Sequence, residues 1–293
     1  MSTYVGRVIR RRGLVRILVT AAVAVIVAMP FIWMLSLSFK PTTEVFSYPP
    51  QLLPSEPTWE NFRYVWNFTN IPIAMVNSLV VTTIAVIGNC MAAAAAGYAL
   101  AHIKFRGSSL LFFTILGTAM VPAVVQLIPL FLLTQGVPLT GGNDIFGEGG
   151  TGLLNTRTGL VLPLLVQPLN IYLARQYFLS LSGEFGDAAR VDGAGELRIF
   201  TRIYMPLAKP IIATIAILSF TGAWEDFLWP LVIISSPSMQ TLPLALSSFA
   251  GSGAPQYGPL MASTLIAIIP VLIVFALGQR HLAQGLSAGG VKG

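Results

Sequence analysis

An all-α, polytopic membrane protein with six transmembrane helices and a charged cytoplasmic loop between helices 4 and 5 is the fold class this sequence predicts. Three observations predict it. Hydrophobic residues make up 55% of the 293 positions and charged residues only 10%, against about 25% charged in soluble chains. Apolar runs long enough to cross about 30 Å of hydrocarbon recur along the chain. The 17 Lys and Arg also sort by side: 14 lie on the side of the N-terminus, the loop at 182–206 and the C-terminal tail, and only Lys40, Arg63 and Arg157 on the other. The positive-inside rule then places both termini and that loop in the cytoplasm of a multi-pass inner (plasma) membrane protein. The net charge of +6 is thus spent on topology, and no nucleic-acid partner is implied.

A basic cytoplasmic N-terminus, 1–16, carries Arg7, Arg10, Arg11, Arg12 and Arg16. The first span, 17–39, is uncharged and longer than a signal-peptide core, and Pro30 is expected to kink it. An external strap follows, with Trp59, Tyr64 and Trp66 suited to the membrane interface. The second span, 73–101, contains a run of small residues from Ala92 to Gly97, a face for close helix packing. The third, 108–133, is expected to break at Pro122 and Pro129, and a glycine-rich external loop runs from 136 to 157. The fourth span is 158–177, the fifth 211–234 and the sixth 259–277, so that a six-helix domain occupies 17–281 and a cytoplasmic tail 282–293. The lone Cys90 and the two histidines, His102 and His281, supply neither a disulfide framework nor a metal site.

The loop 182–206 is built differently. Glu184, Asp187, Asp192 and Glu196 balance Arg190, Arg198, Arg202 and Lys209. Phe185, Ala188 and Ala189, then Leu197, Phe200 and Ile203, recur at helical spacing, which predicts two short amphipathic helices. Ser182 can cap the first, Asp192-Gly193 can stop it through a left-handed glycine, Pro206 ends the second, and Pro210 suits the first turn of the next span. A neutral knuckle of this kind between two spans calls for a protein partner; a membrane-surface helix would carry a basic excess.

GDAARVDGAGELRIFTRIYMPLAKP resembles the EAA loop of permease subunits in binding-protein-dependent ABC importers, with Asp187-Ala188-Ala189, Gly193, Ile203 and Met205-Pro206 at the family's spacings. Asp for Glu at 187 and Met for Leu at 205 are the departures within the loop. PTWENF from Pro57, Asn77-Ser78-Leu79, GYALAHIKFRG from Gly97, WEDFLWPL from Trp224, Thr241-Leu242-Pro243 and the tail GLSAGGVKG resemble the carbohydrate, maltose-type branch, although His102 and Glu225 stand where that branch commonly has Arg and Asn. The resemblance implies a non-enzymatic subunit that pairs with a second, homologous permease. Two ATP-binding subunits would bind ATP and Mg below, and an extracytoplasmic solute-binding protein would dock above. It also implies that Glu184, Asp187, Ala188, Ala189, Arg190, Gly193, Arg198, Ile203 and Pro206 face the ATPase. The chain contains no G-x-x-x-x-G-K-[ST], so it carries no P-loop and no cofactor of its own is expected.

Polar residues inside the spans are the candidates for a solute pathway: Gln126, Gln167, Asn170, Trp224, Glu225 and Asp226. Intramembrane carboxylates cost about 2.5–3.5 kcal/mol at a span centre, so Glu225 and Asp226 call for a pathway role or a local partner. Amides suit sugar hydroxyls, which donate and accept at once, and equally suit hydrogen bonds between helices. A phosphorylated polyol such as glycerol 3-phosphate is the alternative solute. An ion-coupled carrier would be expected to show internal repeats, and none is visible; a hydrolase dyad is disfavoured because adjacent carboxylates cannot converge on one atom.

Overall fold

A computed structural model describes residues 2–251 and 256–288, with side chains described for 16–249 and 256–279. The four arginines at 7–12, His281 and the cations of the tail lie outside the described side chains. All regular elements among the described residues are helical. The chain divides into two compact units, 1–69 with 248–266 and 70–247 with 267–293.

In the first unit, helix α1 (Ser2–Ser38) runs unbroken through Pro30, so the first span is the distal part of a longer helix. Its end is tied to α2 (Glu60–Phe68) by one buried amide: Asn61 Nδ2 donates to the carbonyls of Ser38 and Lys40 at 3.0 and 2.8 Å. Lys40 is 2% exposed; its ammonium lies 5.3 Å from the Trp33 ring and donates to the Gln51 carbonyl, an arrangement that satisfies a buried charge. Asn61 belongs to the PTWENF stretch, and this bracing is its structural use.

The second unit is centred on α3 (Ile71–His102), which enters through a proline in its first turn. It packs on α7 (Pro168–Ser180) and α11 (Lys209–Trp224). Close approach is possible because of Ala93, Ala94 and Gly97: a Cβ at Gly97 would meet Ala174 Cβ at 2.6 Å and the Arg175 nitrogen at 2.8 Å. The expected small-residue face is therefore the α3–α7 seam.

Among the described residues, three helical stretches are long and apolar enough to cross a membrane uninterrupted, Arg16–Ser38, Ile71–His102 and Tyr257–Gln279, the last within α14 (Tyr257–Ala288). Two further pairs qualify only when joined across a bend. Helices α4 (Ser108–Thr118) and α5 (Ala123–Gln135) meet at 104°, and the break is at Pro122 alone; α5 continues through Pro129. The freed Val121 carbonyl accepts from Gln126 Nε2 at 2.8 Å, which satisfies the backbone group that the bend releases.

The expected fourth span is likewise discontinuous. It consists of α6 (Arg157–Val161), a 3₁₀ turn (Leu162–Leu164), a non-helical step and then α7, which begins at Pro168. The expected fifth span is α11, an interruption holding Glu225 and Asp226, and α12 (Leu228–Ile233). Trp229 closes this region: it is buried beside Val81, Leu160, Val161 and Ile233 and donates from Nε1 to the Gly159 carbonyl at 3.0 Å.

Candidate functional site

The polar loop forms α8 (Glu184–Val191) and then a second helical stretch composed of α9 (Glu196–Ile199), a π-helical turn (Phe200–Tyr204) and α10 (Met205–Leu207). Pro206 thus lies in the last turn instead of beyond it. The chain bends by 79° between this stretch and α11, and Pro210 stands in the first turn of α11 as expected. Before α8, Ser182 Oγ accepts from the Glu184 nitrogen at 3.2 Å. After it, Gly193 takes φ +79°, its nitrogen donates to the Arg190 carbonyl at 3.0 Å, and the Ala194 nitrogen donates to the Ala189 carbonyl at 2.9 Å. That pair of bonds is a Schellman motif. Its accompanying apolar contact explains why alanine suits position 189: Ala189 and Ala194 both pack against the buried cluster below.

That cluster sits at the end of α3 that reaches the loop. Tyr98 is ringed by His102, Phe178, Phe200 and Tyr204 at centroid distances of 5.5, 5.8, 5.0 and 5.2 Å. His102, placed where the resembled branch commonly has Arg, lies 4.3 Å from the Tyr204 ring, and its Nε2 is 3.0 Å from the Phe178 carbonyl. Tyr204 is 1% exposed and its hydroxyl donates to the Ser182 carbonyl at 3.2 Å. Gly186 passes beneath it so closely that a Cβ would lie 3.1 Å from that oxygen. The π turn is what brings Phe200 and Tyr204 to the cluster.

A chain of charged hydrogen bonds crosses the loop. Arg190 donates from Nη1 to Asp187 Oδ1 and from Nε to Glu196 Oε1, both at 2.7 Å, and the Tyr98 hydroxyl donates to Glu196 Oε2 at 2.9 Å. Arg190 holds the Glu196 carboxyl below its ordinary range, burial opposes this and the Tyr98 hydroxyl reinforces it. Glu196 in turn raises the Arg190 guanidinium above its usual value. Two acids share one cation, so the group keeps a net negative charge. Glu184, Ala188, Arg198 and Pro206 are exposed, whereas Ile203 packs against the cluster. The outward face also shows Phe185, Val191 and Leu197, at 52, 88 and 76% exposure. Exposed apolar side chains flanked by charges on a braced two-helix knuckle are suited to a protein groove. Glu196 was counted in the sequence only as one of the balancing charges; its bond to Tyr98 depends on a residue far off in the chain.

The pathway candidates separate into two groups. Asn170 is buried and donates from Nδ2 to Asn89 Oδ1 at 2.7 Å, Ser219 Oγ at 3.0 Å and Gln167 Oε1 at 3.1 Å, while Ser219 Oγ donates to Asn89 Oδ1 at 3.1 Å. These amides join α3, α7 and α11 in one polar knot. Trp224 is 4% exposed, stacks on Phe220 and donates from Nε1 to the Ala267 carbonyl at 3.2 Å. Gln126 is occupied at the α4–α5 bend. Glu225 ends α11 and is exposed, and Asp226 Oδ1 accepts weakly from the Trp229 nitrogen at 3.4 Å, capping α12. The adjacent carboxylates have different surroundings.

Two stretches singled out in the sequence prove to meet. Asn77 Nδ2 donates to the carbonyls of Ser238 and Gln240 at 2.8 and 3.0 Å, its Oδ1 accepts from Arg157 Nε at 3.0 Å, and Ser78 Oγ accepts from the Leu242 nitrogen at 2.7 Å. The Asn-Ser and Thr-Leu-Pro stretches are thus two halves of one brace. Their signal in the sequence was an isolated amide within an apolar run. Nearby, the loop 136–157 is close-packed: a Cβ at Gly147 would lie 2.1 Å from the Gly136 carbonyl, and Asn143 bonds to Gln135, Val137 and Gly150. Among the described residues no cluster of His, Cys, Asp or Glu could hold a metal ion.

Comparison with known proteins gives concordant results. A family described as "Binding-protein-dependent transport system inner membrane component" matches residues 88–288. The arabinooligosaccharides transport system permease protein AraQ of Halalkalibacterium halodurans is 34% identical over 276 residues, covering 93% of this chain and 94% of its own. The sn-glycerol-3-phosphate transport system permease protein UgpE of Yersinia pestis bv. Antiqua is 31% identical over 252 residues, covering 83% and 85%. Among solved structures, a chain of a bacterial ABC transporter involved in the import of the acidic polysaccharide alginate superposes with a TM-score of 0.79 at 26% identity, over 92% of this chain and 96% of that one.

Proposed function

The chain belongs to the family of inner membrane components of binding-protein-dependent transport systems, and from that premise we propose that it is the permease subunit of an ATP-driven importer, forming half of the translocation pathway for a sugar or sugar-like solute. Members of this family are non-catalytic permeases. In our reading the complete machine contains a second, homologous permease and two ATP-binding subunits that hold ATP and Mg. A solute-binding protein delivers the solute from outside, and both termini of this chain lie in the cytoplasm.

The observation that carries this reading is the knuckle 184–207. Its outward face offers Phe185, Val191 and Leu197 beside an acid-rich charge chain, and its inward face is fixed to the ends of α3, α7 and α11 by Tyr98, Phe178, Tyr204 and Ile211. Closure of an ATPase pair around this face would displace the knuckle as a body, and the aromatic cluster would pass the displacement to the helix ends. Access on the far side would change because those helices are the walls of the pathway. Charge-assisted contacts to Asp187, Glu184 or Arg198 would each contribute about 1.5–3 kcal/mol where desolvated and close to nothing where exposed.

For the solute, we favour an uncharged sugar over a phosphorylated polyol. Arg175, within the expected fourth span, lies with its guanidinium 4.0 Å from the Phe112 ring and donates to the Leu100 carbonyl, so it is engaged structurally; Arg157 is engaged by Asn77. Of the pathway candidates, Glu225 is exposed and Gln167 half-buried, and these are the residues we assign to the pathway, with Asn170 and Trp224 holding the helices that carry them.

The test is reconstitution of the purified complex in proteoliposomes with its binding protein. Uptake that requires ATP, the ATP-binding subunits and the binding protein is expected, with neutral oligosaccharides competing and glycerol 3-phosphate not competing. Uptake by this chain alone would sink the proposal.

A further inference from the structure

One carboxylate joins the loop to the second span. Glu196 opens α9, and its two oxygens serve different elements: Oε2 takes the Tyr98 hydroxyl of α3 and Oε1 takes the Arg190 Nε of α8. Around this bridge the chain turns through two glycines, with the Schellman bonds of Gly193 and Ala194 closing α8. Gly193 and Gly195 flank Ala194, and a Cβ at either glycine would meet nothing within 4 Å. The remaining ties of α8 to the cluster are Gly186, which packs under Tyr204 and hydrogen-bonds through its backbone to the Tyr204 hydroxyl, and the packing of Ala189. A force applied to the exposed face of α8 would load the turn at 193–195, and the Glu196 bridge is the tie that carries it from α8 to α3.

We propose that Glu196 is a positioning residue whose bridge from Arg190 to Tyr98 makes α8 and the inner end of α3 move as one lever. Displacement of α8 then reaches the second span instead of being absorbed at the glycines. The inference rests on the reading that an ATP-binding subunit docks on this loop. It adds a specific route, since Tyr98 is 3% exposed and lies behind the loop.

The experiment uses the whole transporter in proteoliposomes and reads solute moved per ATP hydrolysed, together with retention of the ATP-binding subunits. Tyr98→Phe removes a single oxygen and keeps the ring in its aromatic cluster; Glu196→Ala removes the bridge from the other side. Each is expected to lower solute moved per ATP by about 5- to 10-fold with the ATP-binding subunits still attached. The double variant should be no worse than either single one, because both break the same link. Normal solute per ATP in the two single variants, or losses that multiply in the double, would overturn the lever. A fall in yield with an unchanged ratio would also overturn it, by showing a purely structural role. A photo-crosslinking residue at Val191, 88% exposed, tests docking separately. Failure to capture an ATP-binding subunit there would defeat the docking reading whatever the ratio shows.

Discussion

Replacing Gly193 should damage the knuckle through backbone conformation alone. At φ +79° an L side chain is strained, and a Cβ here would meet no atom within 4 Å, so contact sterics contribute nothing. The left-handed region costs about 1–2 kcal/mol for a residue with a Cβ, least for Asn and most for a β-branched residue. If that cost falls on the population of loops holding the Schellman turn, 1–2 kcal/mol corresponds to about a 5- to 30-fold drop in the docking-competent form, and apparent affinity for the ATP-binding subunits weakens by the same factor. The expected order is Gly193→Asn nearest to wild type, Gly193→Ala intermediate and Gly193→Val weakest, with membrane insertion unchanged in all three. Titration of detergent-solubilised permease pairs with labelled ATP-binding subunits measures this directly. Equal affinities for the Asn and Val variants would refute the argument, because open space around the residue leaves no other term to separate them.

At the α3–α7 seam, Gly97→Leu should destabilise the solubilised chain by about 1–3 kcal/mol, read as a lowered unfolding midpoint, because the added carbon would sit 2.6 Å from Ala174 Cβ and the backbone must yield. The Arg190–Glu196 bond should survive mild acid. The folded-state pKa of Glu196 is depressed, so its contribution is complete above the unfolded value of about 4.3 and is lost as pH falls through the lower folded value. Solute moved per ATP, assayed on the cytoplasmic face, should therefore be unaffected by this group between pH 7 and 5; a Glu196-dependent midpoint inside that window would contradict the bond.

The knuckle was legible in the sequence because its determinants are local. Charge balance, the Asp192-Gly193 stop and the apolar spacing all act within one or two helical turns, and the hinge fell where they placed it. The integral-membrane, all-helical character was legible from composition for a similar reason. Breaks within the spans were harder to read. Pro30, Pro129 and Pro270 ride inside helices, whereas Pro122 marks a 104° bend, so a proline in an apolar run does not by itself fix which outcome follows. The fourth span, read as 158–177 with Gln167, Pro168 and Asn170 in its middle, is interrupted between the turn at 162–164 and Pro168, where α7 begins.

Long-range polar pairs were the least legible. Asn61, Asn77 and Asn89 each stood as an isolated amide, and each proves to join segments distant in sequence. Asn170 was selected as a pathway residue on its chemistry and sits in a polar knot with three partners. Only three-dimensional proximity separates those two uses of the same side chain.

That polar knot also imposes a schedule on biosynthesis. Asn89 emerges from the ribosome first, and its final partner, Ser219, follows 130 residues later, a delay of roughly 6–26 s at about 5–20 residues per second. Until Asn170 follows, 81 residues after it, the amide of α3 lacks its side-chain partners, and the knot is complete only when α11 brings Ser219. A nascent chain cut short before Asn170 would therefore leave Asn89 without the side-chain partners it has in the finished permease.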